Sequence, residues 1–242
     1  MGSTGKPIGK PTGKPAGVIF DVDGTLADTN YLHVVAWARA FRDAGEDVAM
    51  ADIHRLIGMG SELLVEELLG HADDDAVDGH AKHFQELMPE LRAFPRAGEL
   101  LAEVRRRGGI VALASSASEE QLEAMLEAIA APDGTIDHVT GADDVDQSKP
   151  APDVFETALG ATGLDPADAL VVGDTVWDIE AAAKVGLRVV GVVTGGIGRR
   201  DLEAAGAVAV YDNVAHLLDE LDRSPVGRLL QAPASTSTSS KS

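Results

Sequence analysis

The stretch that decides the fold is GVIFDVDGTL, residues 17–26. Its opening apolar run is typical of a strand buried on both faces, and Asp21, Asp23 and Gly24 follow at once. Carboxylates directly after a buried strand lie at its carboxyl end, which is where open parallel sheets bind their ligands. The stretch therefore predicts a first strand over residues 17–21 that leads into a functional turn.

Beyond this stretch, short apolar runs alternate with helical patterns along the chain. This alternation predicts an α/β fold, a doubly wound, Rossmann-like and mostly parallel sheet with helices on both faces. The further predicted strands cover residues 110–114, 138–140, 170–173, 188–193 and 208–211, and the predicted helices cover residues 97–107, 119–130, 153–161, 177–185 and 214–221.

Residues 29–93 interrupt the alternation, because their pattern is helical throughout. We interpret them as an α-helical domain inserted into an α/β core formed by residues 17–28 and 94–226. Gly-Lys-Pro repeats in residues 1–16 predict a flexible tail, and the low-complexity residues 227–242 predict a disordered one.

Composition excludes several classes of function. The chain has 242 residues, no cysteine and a formal net charge of −20. A thiolate metal site and a cysteine nucleophile are therefore excluded, and the acidic surface argues against a nucleic-acid partner. No apolar run approaches the roughly 18 residues of a membrane span, and no apolar signal core is evident, so we expect a cytoplasmic protein with no membrane partner.

Polar side chains follow three of the predicted strands. Asp21 and Asp23 follow the first, Ser115 the second and Asp174 the fourth, while Lys149 lies in a loop after the third. Clustered carboxylates repel one another unless a cation separates them, and hard oxygen donors without His or Cys favour Mg²⁺. A magnesium ion beside one lysine and one hydroxyl is suited to a phosphoryl group, and two carboxylates on one turn supply a nucleophile and a proton donor.

These residues also carry a family resemblance. DVDGT at residues 21–25, then Ser115, then Lys149, then Gly173-Asp174 with Asp178 stand in the order of four motifs. Over residues 17–221 the chain resembles the haloacid dehalogenase superfamily of hydrolases, which are mostly phosphatases. The helical insert between the first two motifs resembles the small helical cap of that superfamily.

The resemblance implies roles for the acidic residues. Asp21 is expected to attack phosphorus and form an aspartyl-phosphate. Asp23 is expected to protonate the leaving oxygen and then to take a proton from the hydrolytic water. The Asp21 and Asp174 side chains and the backbone carbonyl of Asp23 are expected to ligate Mg²⁺.

The same resemblance implies that Ser115 and Lys149 hold the phosphoryl oxygens. Asp178 is expected to support the metal site or to orient Lys149. Thr25 matches a contributing position of the first motif.

In the cap, two residues have alternative readings. Arg55 precedes the turn Gly58-Met59-Gly60 and either brings positive charge to an anionic substrate or is a solvated side chain. His33 is either a site residue, as at the matching place of related sugar-phosphate mutases, or a surface histidine. The residues His71, His80 and His83 have an irregular spacing that fits no zinc-ligand pattern.

The predicted function is that of a phosphoric monoester hydrolase, a Mg²⁺-dependent phosphatase of a small phosphorylated metabolite such as phosphoglycolate or a sugar phosphate. The alternative is a phosphosugar mutase of the β-phosphoglucomutase type, which His33 and Arg55 favour. Gly173 opposes it, because those mutases typically carry Glu at that position. A 2-haloacid dehalogenase and a non-catalytic binding protein are further alternatives, and the oligomeric state is left open.

Overall fold

The computed structural model describes residues 15–231, and most of the two predicted tails, residues 1–14 and 232–242, lies outside this range. Six parallel strands form one sheet in the order β3-β2-β1-β4-β5-β6. The predicted α/β fold with a parallel sheet is confirmed. The strands are β1 (Gly17–Phe20), β2 (Ile110–Ala114), β3 (His138–Thr140), β4 (Ala169–Gly173), β5 (Arg188–Val192) and β6 (Ala209–Tyr211).

Eleven α-helices lie within residues 15–231, and none of these is long and apolar enough to cross a membrane. They are α1 (Asn30–Asp43), α2 (Met50–Leu56), α3 (Ser61–Leu69), α4 (Asp74–Leu87), α5 (Ala97–Arg106), α6 (Glu119–Ile129), α7 (Asp153–Thr162), α8 (Val176–Lys184), α9 (Arg199–Ala205), α10 (Val214–Asp219) and α11 (Pro225–Gln231).

The sheet is buried on both faces because successive strand side chains point to opposite sides. In β1, Val18 and Phe20 belong to a hydrophobic cluster with residues of α5, α6, α10 and α11, while Ile19 belongs to one with residues of α7, α8 and α9. Helices on both faces explain why the strands read as continuous apolar runs rather than as alternating patterns.

The bounds of the predicted strands and helices agree with the structure to within two residues. Two helices, α9 and α11, are absent from the sequence-based prediction. In α9 only Leu202 is buried, so the apolar pattern is weak. In α11, residues 227–231 fall in the tail predicted to be disordered, and this prediction is wrong for them. The helix forms because the Ser224 hydroxyl accepts a hydrogen bond from the amide of Gly227 and Val226 is buried in the core.

The insert after β1 has a hydrophobic cluster of its own. Its helices α1–α4 enclose buried side chains such as Trp37, Phe41 and Ile53. The two chain segments that connect it to the sheet run side by side. The amide of Asp28 donates to the carbonyl of Arg92, and the amide of Phe94 donates to the carbonyl of Leu26, both at 2.9 Å. Entry and exit of the insert are therefore tied together next to the end of β1.

The order of the strands reverses between β1 and β4, which is where doubly wound sheets bind ligands. Phe20 lies in register with Leu113 of β2 and with Val172 of β4. The residues that follow these three strands, Asp21, Ser115 and Asp174, therefore meet at one edge of the sheet.

Candidate active site

Three carboxylates converge at this edge. Asp21, Asp174 and Asp178 are buried, and each offers one oxygen within 4.8 Å of the others. The strand ends fix Asp21 and Asp174, and the first turn of α8 fixes Asp178. Three negative charges this close repel one another strongly in a site that excludes water. The cluster therefore needs positive charge.

Lys149 supplies part of that charge. Its Nζ lies 2.5 Å from Oδ1 of Asp21 and 2.7 Å from Oδ1 of Asp178. Burial alone would lower the pKa of Lys149, but the carboxylates of Asp178 and Asp21 outweigh burial and raise it above its usual range. Lys149 therefore remains an ammonium at the centre of the site.

Asp178 is held so that it can meet Lys149. Its Oδ2 accepts hydrogen bonds from the amide of Thr175 at 3.0 Å and from the hydroxyl of Thr175 at 2.7 Å. The Thr175 hydroxyl in turn accepts from the amide of Asp178, which makes a capping box at the start of α8. Both carboxylate oxygens of Asp178 thus have partners: Oδ2 accepts from Thr175 at the helix cap, and Oδ1 pairs with Lys149.

Asp174 faces the opposite side of the cluster and is held by two donors. Thr25 Oγ1 donates to Oδ1 and Asn30 Nδ2 donates to Oδ2, each at 2.8 Å. Burial, together with the carboxylates of Asp21 and Asp178, holds the pKa of Asp174 well above its usual range. Asn30 is absent from the sequence-based prediction, although a polar residue at the start of the first helical pattern after DVDGT is a usable signal.

Two glycines make room for the Asp174 carboxylate. A Cβ added to Gly24 would lie 2.3 Å from Oδ2 of Asp174, and one added to Gly195 would lie 1.7 Å from it. Gly24 also has a φ of +73°, a conformation that residues with a side chain rarely adopt. The loop that contains Gly195 therefore closes one wall of the site.

The donor set fits a divalent cation. Burial is the main reason that the pKa of Asp21 rises to about 7, and the charges of Asp178 and Asp23 raise it further against the effect of Lys149. A cation among the oxygens of Asp21 and Asp174 would offset this repulsion. The cluster contains only carboxylate oxygens, which are the ligands that hard cations such as Mg²⁺ prefer.

Asp23 lies beside the cluster and has neighbours of its own. Thr29 Oγ1 donates to Oδ1 at 2.8 Å, Ser115 Oγ donates to Oδ2 at 3.0 Å, and Nε2 of His33 lies 3.2 Å from Oδ1. Burial acts to raise the pKa of Asp23, but the interactions with His33, Thr29 and Ser115 together lower it. Thr29 is absent from the sequence-based prediction, and His33 reaches the site from α1.

A second histidine stands behind the first. Nδ1 of His33 lies 3.1 Å from Nε2 of His80, and the ring of His80 stacks on Trp37 with centroids 4.1 Å apart. Burial is the main reason that the pKa of His80 lies well below its usual value. His80 is therefore neutral and belongs to the interior of the insert, whereas His71 is exposed, so the structure does not gather these histidines into a metal site.

Besides the residues at the start of α1, the insert touches the site through its glycine turn, and not through Arg55. The amide of Gly60 donates to the carbonyl of Lys149 at 3.1 Å, and a Cβ on Gly58 would lie 2.9 Å from Thr175. The Arg55 side chain is 74% exposed and pairs with Asp52 at 2.7 Å. The glycine turn thus lies against Lys149 and Thr175, and Arg55 is left in solvent.

Comparison with known proteins gives the family. The sequence profile of the haloacid dehalogenase-like hydrolases matches residues 18–192. The chain belongs to the haloacid dehalogenase-like hydrolase family. The match spans all four predicted motifs, so the resemblance predicted from DVDGT and the later residues is confirmed.

One relative of this hydrolase is named as a phosphatase, and the crystal structure of another contains phosphate. It is 33% identical over 220 residues to a phosphoglycolate phosphatase of Rhodospirillum rubrum, covering 84% of this chain and 90% of that protein. The structure of CbbY from Rhodobacter sphaeroides in complex with phosphate has a TM-score of 0.69 and 28% identity, over 84% of this chain and 96% of that one.

The fold of the hydrolase is also found in a crystal structure of a hydrolase from Pseudomonas syringae. That structure has a TM-score of 0.81 and 34% identity, and the match covers 86% of this chain and 98% of the other. The comparisons confirm the predicted enzyme class, a phosphoric monoester hydrolase of this family.

Proposed function

We propose that the protein is a Mg²⁺-dependent phosphatase that hydrolyses a small phosphorylated metabolite through an aspartyl-phosphate on Asp21. The observation that carries this proposal is the position of Asp21 at the end of β1, within the carboxylate cluster and with Oδ1 2.5 Å from Nζ of Lys149. A cavity of about 30 Å³ opens there, with Asp21, Asp23, Ser116 and Lys149 among its walls. We call it the phosphoryl cavity. The phosphate bound to CbbY supports the same chemistry.

The side chains of Asp21 and Asp174 and the backbone carbonyl of Asp23 would hold the Mg²⁺. When bound, the cation neutralises charge on the carboxylates and on the phosphoryl oxygens. The roles of Thr25 and Asn30 are to orient the Asp174 carboxylate through their hydrogen bonds. Asp178 orients Lys149, since both of its oxygens already have partners.

In the first step, an oxygen of Asp21 attacks phosphorus and the ester P–O bond breaks. The carboxyl of Asp23 gives its proton to the leaving oxygen, so the product leaves as an alcohol. Asp23 needs that proton at this stage, and the negative phosphoryl group arriving beside it raises its pKa by like-charge repulsion. Lys149 neutralises negative charge on the phosphoryl oxygens, with the hydroxyl of Ser115 beside them.

In the second step, the Asp23 carboxylate takes a proton from water, and the water oxygen attacks phosphorus. The bond between phosphorus and Asp21 breaks, which releases inorganic phosphate and restores both carboxyl groups. The hydrogen bonds from Thr29 and Ser115 hold Asp23 in place for both proton transfers. We propose that residues 29–93 act as the cap that keeps other water away from the intermediate.

Phosphate release from small phosphate monoesters, phosphoglycolate and sugar phosphates among them, tests this function. Wild-type protein with Mg²⁺ should release inorganic phosphate, and Asp21→Asn should release none while retaining its circular dichroism spectrum. Asp143→Asn is the matched control, because it removes one carboxylate from an exposed position outside the site. Substantial activity in Asp21→Asn would exclude the proposed nucleophile.

A further inference from the structure

A second cavity adjoins the phosphoryl cavity. Its volume is about 90 Å³, and it lies between the insert and the sheet edge. The two cavities share Asp23, Gly58 and Ser116 as walls. Asp23 is the proposed proton donor to the leaving oxygen, so an ester whose phosphorus faces Asp21 places the remainder of the substrate in this second space. We call it the leaving-group cavity.

The walls of the leaving-group cavity are apolar or uncharged, apart from Asp23. Trp37, Met59 and Leu64 supply apolar surface, and Ser61 and Ser116 supply hydroxyls. Within residues 15–231, no lysine or arginine lines this space.

The two histidines in the wall do not replace the missing cation. His80 is buried against Trp37, with Nε2 3.1 Å from His33. The other ring nitrogen of His33 lies 3.2 Å from Oδ1 of Asp23. Both ring nitrogens of His33 therefore already have partners, His80 and Asp23, so neither is free to bind a second anionic group.

Basic residues elsewhere in the insert are paired away from the cavity or exposed. Arg55 pairs with Asp52 at 2.7 Å, Arg39 pairs with Glu86 at 3.4 Å, and Lys82 is exposed. A substrate with a second anionic group would thus meet Asp23 and no counter-ion in this space.

We propose that the leaving group of the substrate is an uncharged alcohol, an inference that rests on the proposed phosphatase function. A carboxylate or a second phosphate in the cavity would be desolvated without a partner, which is costly, and the net charge of −20 adds repulsion over a longer range. A hydroxyl can donate to or accept from Ser61 and Ser116. Of the two substrate classes considered, this favours an uncharged sugar or polyol monophosphate over phosphoglycolate.

Pairs of esters in which an uncharged CH₂OH group stands in place of a carboxylate test the proposal. The full chain with Mg²⁺ is assayed on 2-hydroxyethyl phosphate against phosphoglycolate, and on glycerol 1-phosphate against 3-phosphoglycerate. We expect kcat/KM to be about tenfold or more higher for the hydroxyl member of each pair. Equal or better hydrolysis of the carboxylates would overturn the proposal and leave the phosphatase function standing. No phosphate release from any ester would instead overturn the proposed function, and this inference with it.

A charge placed in the cavity wall provides a second measurement. Ser61→Lys should raise the kcat/KM ratio of phosphoglycolate to 2-hydroxyethyl phosphate by about threefold or more, because the carboxylate gains a partner. Leu63→Lys is the matched control, since it adds the same charge to the same helix from an exposed position, and it should leave the ratio unchanged. An equal shift in both variants would show that long-range charge, and not the cavity wall, sets the selectivity, and would overturn the proposal.

Discussion

Lys149 and Asp178 form an ion pair of 2.7 Å in which the two side chains are only 3% and 1% exposed. Such a pair is weak evidence for stability, because removing two charges from water costs about as much as their attraction returns. The position of the ion pair in the site explains its presence better than a contribution to stability does. The pair connects the first turn of α8 with Asp21 at the end of β1, so the folded chain holds an ammonium against the proposed nucleophile.

Removing that ammonium should cost activity. Lys149→Ala leaves charge on the phosphoryl oxygens uncompensated, so we expect kcat to fall about 100-fold or more. Steady-state phosphate release at saturating Mg²⁺ measures the effect. Lys184→Ala is the control, because Lys184 is exposed and only donates to the carbonyl of Pro150. A fall of less than about threefold in Lys149→Ala, well under 1 kcal/mol, would contradict the assigned role.

The carboxylate cluster should respond to Mg²⁺ both in stability and in activity. A chelator should abolish phosphate release, and added Mg²⁺ should restore it. Added Mg²⁺ should also raise the Tm of the wild type, because a ligand that binds only the folded state stabilises it. Asp174→Asn should lose most of this Tm shift and Asp143→Asn should keep it. Full activity in chelator, or a shift that survives in Asp174→Asn, would argue against this cluster as the metal site.

A sugar phosphate separates hydrolysis from isomerisation. Both reactions would use Asp21 and Asp23, so substitution of either residue cannot discriminate between them. The cap leaves Arg55 in solvent, and Gly173 offers no carboxylate where the mutases typically carry one. We therefore expect inorganic phosphate as the main product when glucose 1-phosphate is supplied, measured beside chromatography of the sugar phosphates. Faster accumulation of an isomerised sugar phosphate would favour the mutase.

Acid should remove a contribution of Glu103 to stability. Hydrogen bonds from Arg106 and then Arg107 lower its pKa to about 2, against 4.5 ordinarily. A lowered pKa in the folded state stabilises the protein above the unfolded pKa, and this contribution is lost as pH falls toward 2. Because Arg106 is exposed, we expect Glu103→Gln to cost only about 0.5–1 kcal/mol at pH 7.

Urea denaturation at pH 7, 5 and 3.5 measures this difference. The difference in the free energy of unfolding between wild type and Glu103→Gln should become smaller between pH 5 and pH 3.5. Glu99→Gln on the same helix is the control. It should lower the free energy of unfolding by less, because the Glu99 side chain is 64% exposed and its ion pair is with one arginine, Arg96. If the difference in the free energy of unfolding did not depend on pH, packing and not charge would explain the effect of the substitution.

The strands and most core helices could be predicted from the sequence because their signals are local. GVIF at residues 17–20 is apolar throughout, as a strand covered on both faces requires, and Ser118, a residue type favoured at helix N-caps, stands at the N-cap of α6. In a parallel sheet the carboxyl ends of all strands share one edge, so the order of DVDGT, Ser115 and Gly173-Asp174 along the chain already placed these side chains together. Lys149 follows no strand directly; its place in the loop after the third predicted strand indicates it, and the family resemblance adds its role.

Tertiary structure alone decided which insert residues reach the site. His33, Thr29 and Asn30 enter it because the paired segments around residues 28 and 92 fix the start of α1 beside the end of β1. His80 lies 47 residues from His33 in sequence, and only the packing of α4 against α1 brings the two rings together. Arg55 points into solvent because Asp52, one helical turn earlier, binds it. Such pairings depend on distances between helices, and local periodicity specifies the face that a helix buries but not the partner that it meets.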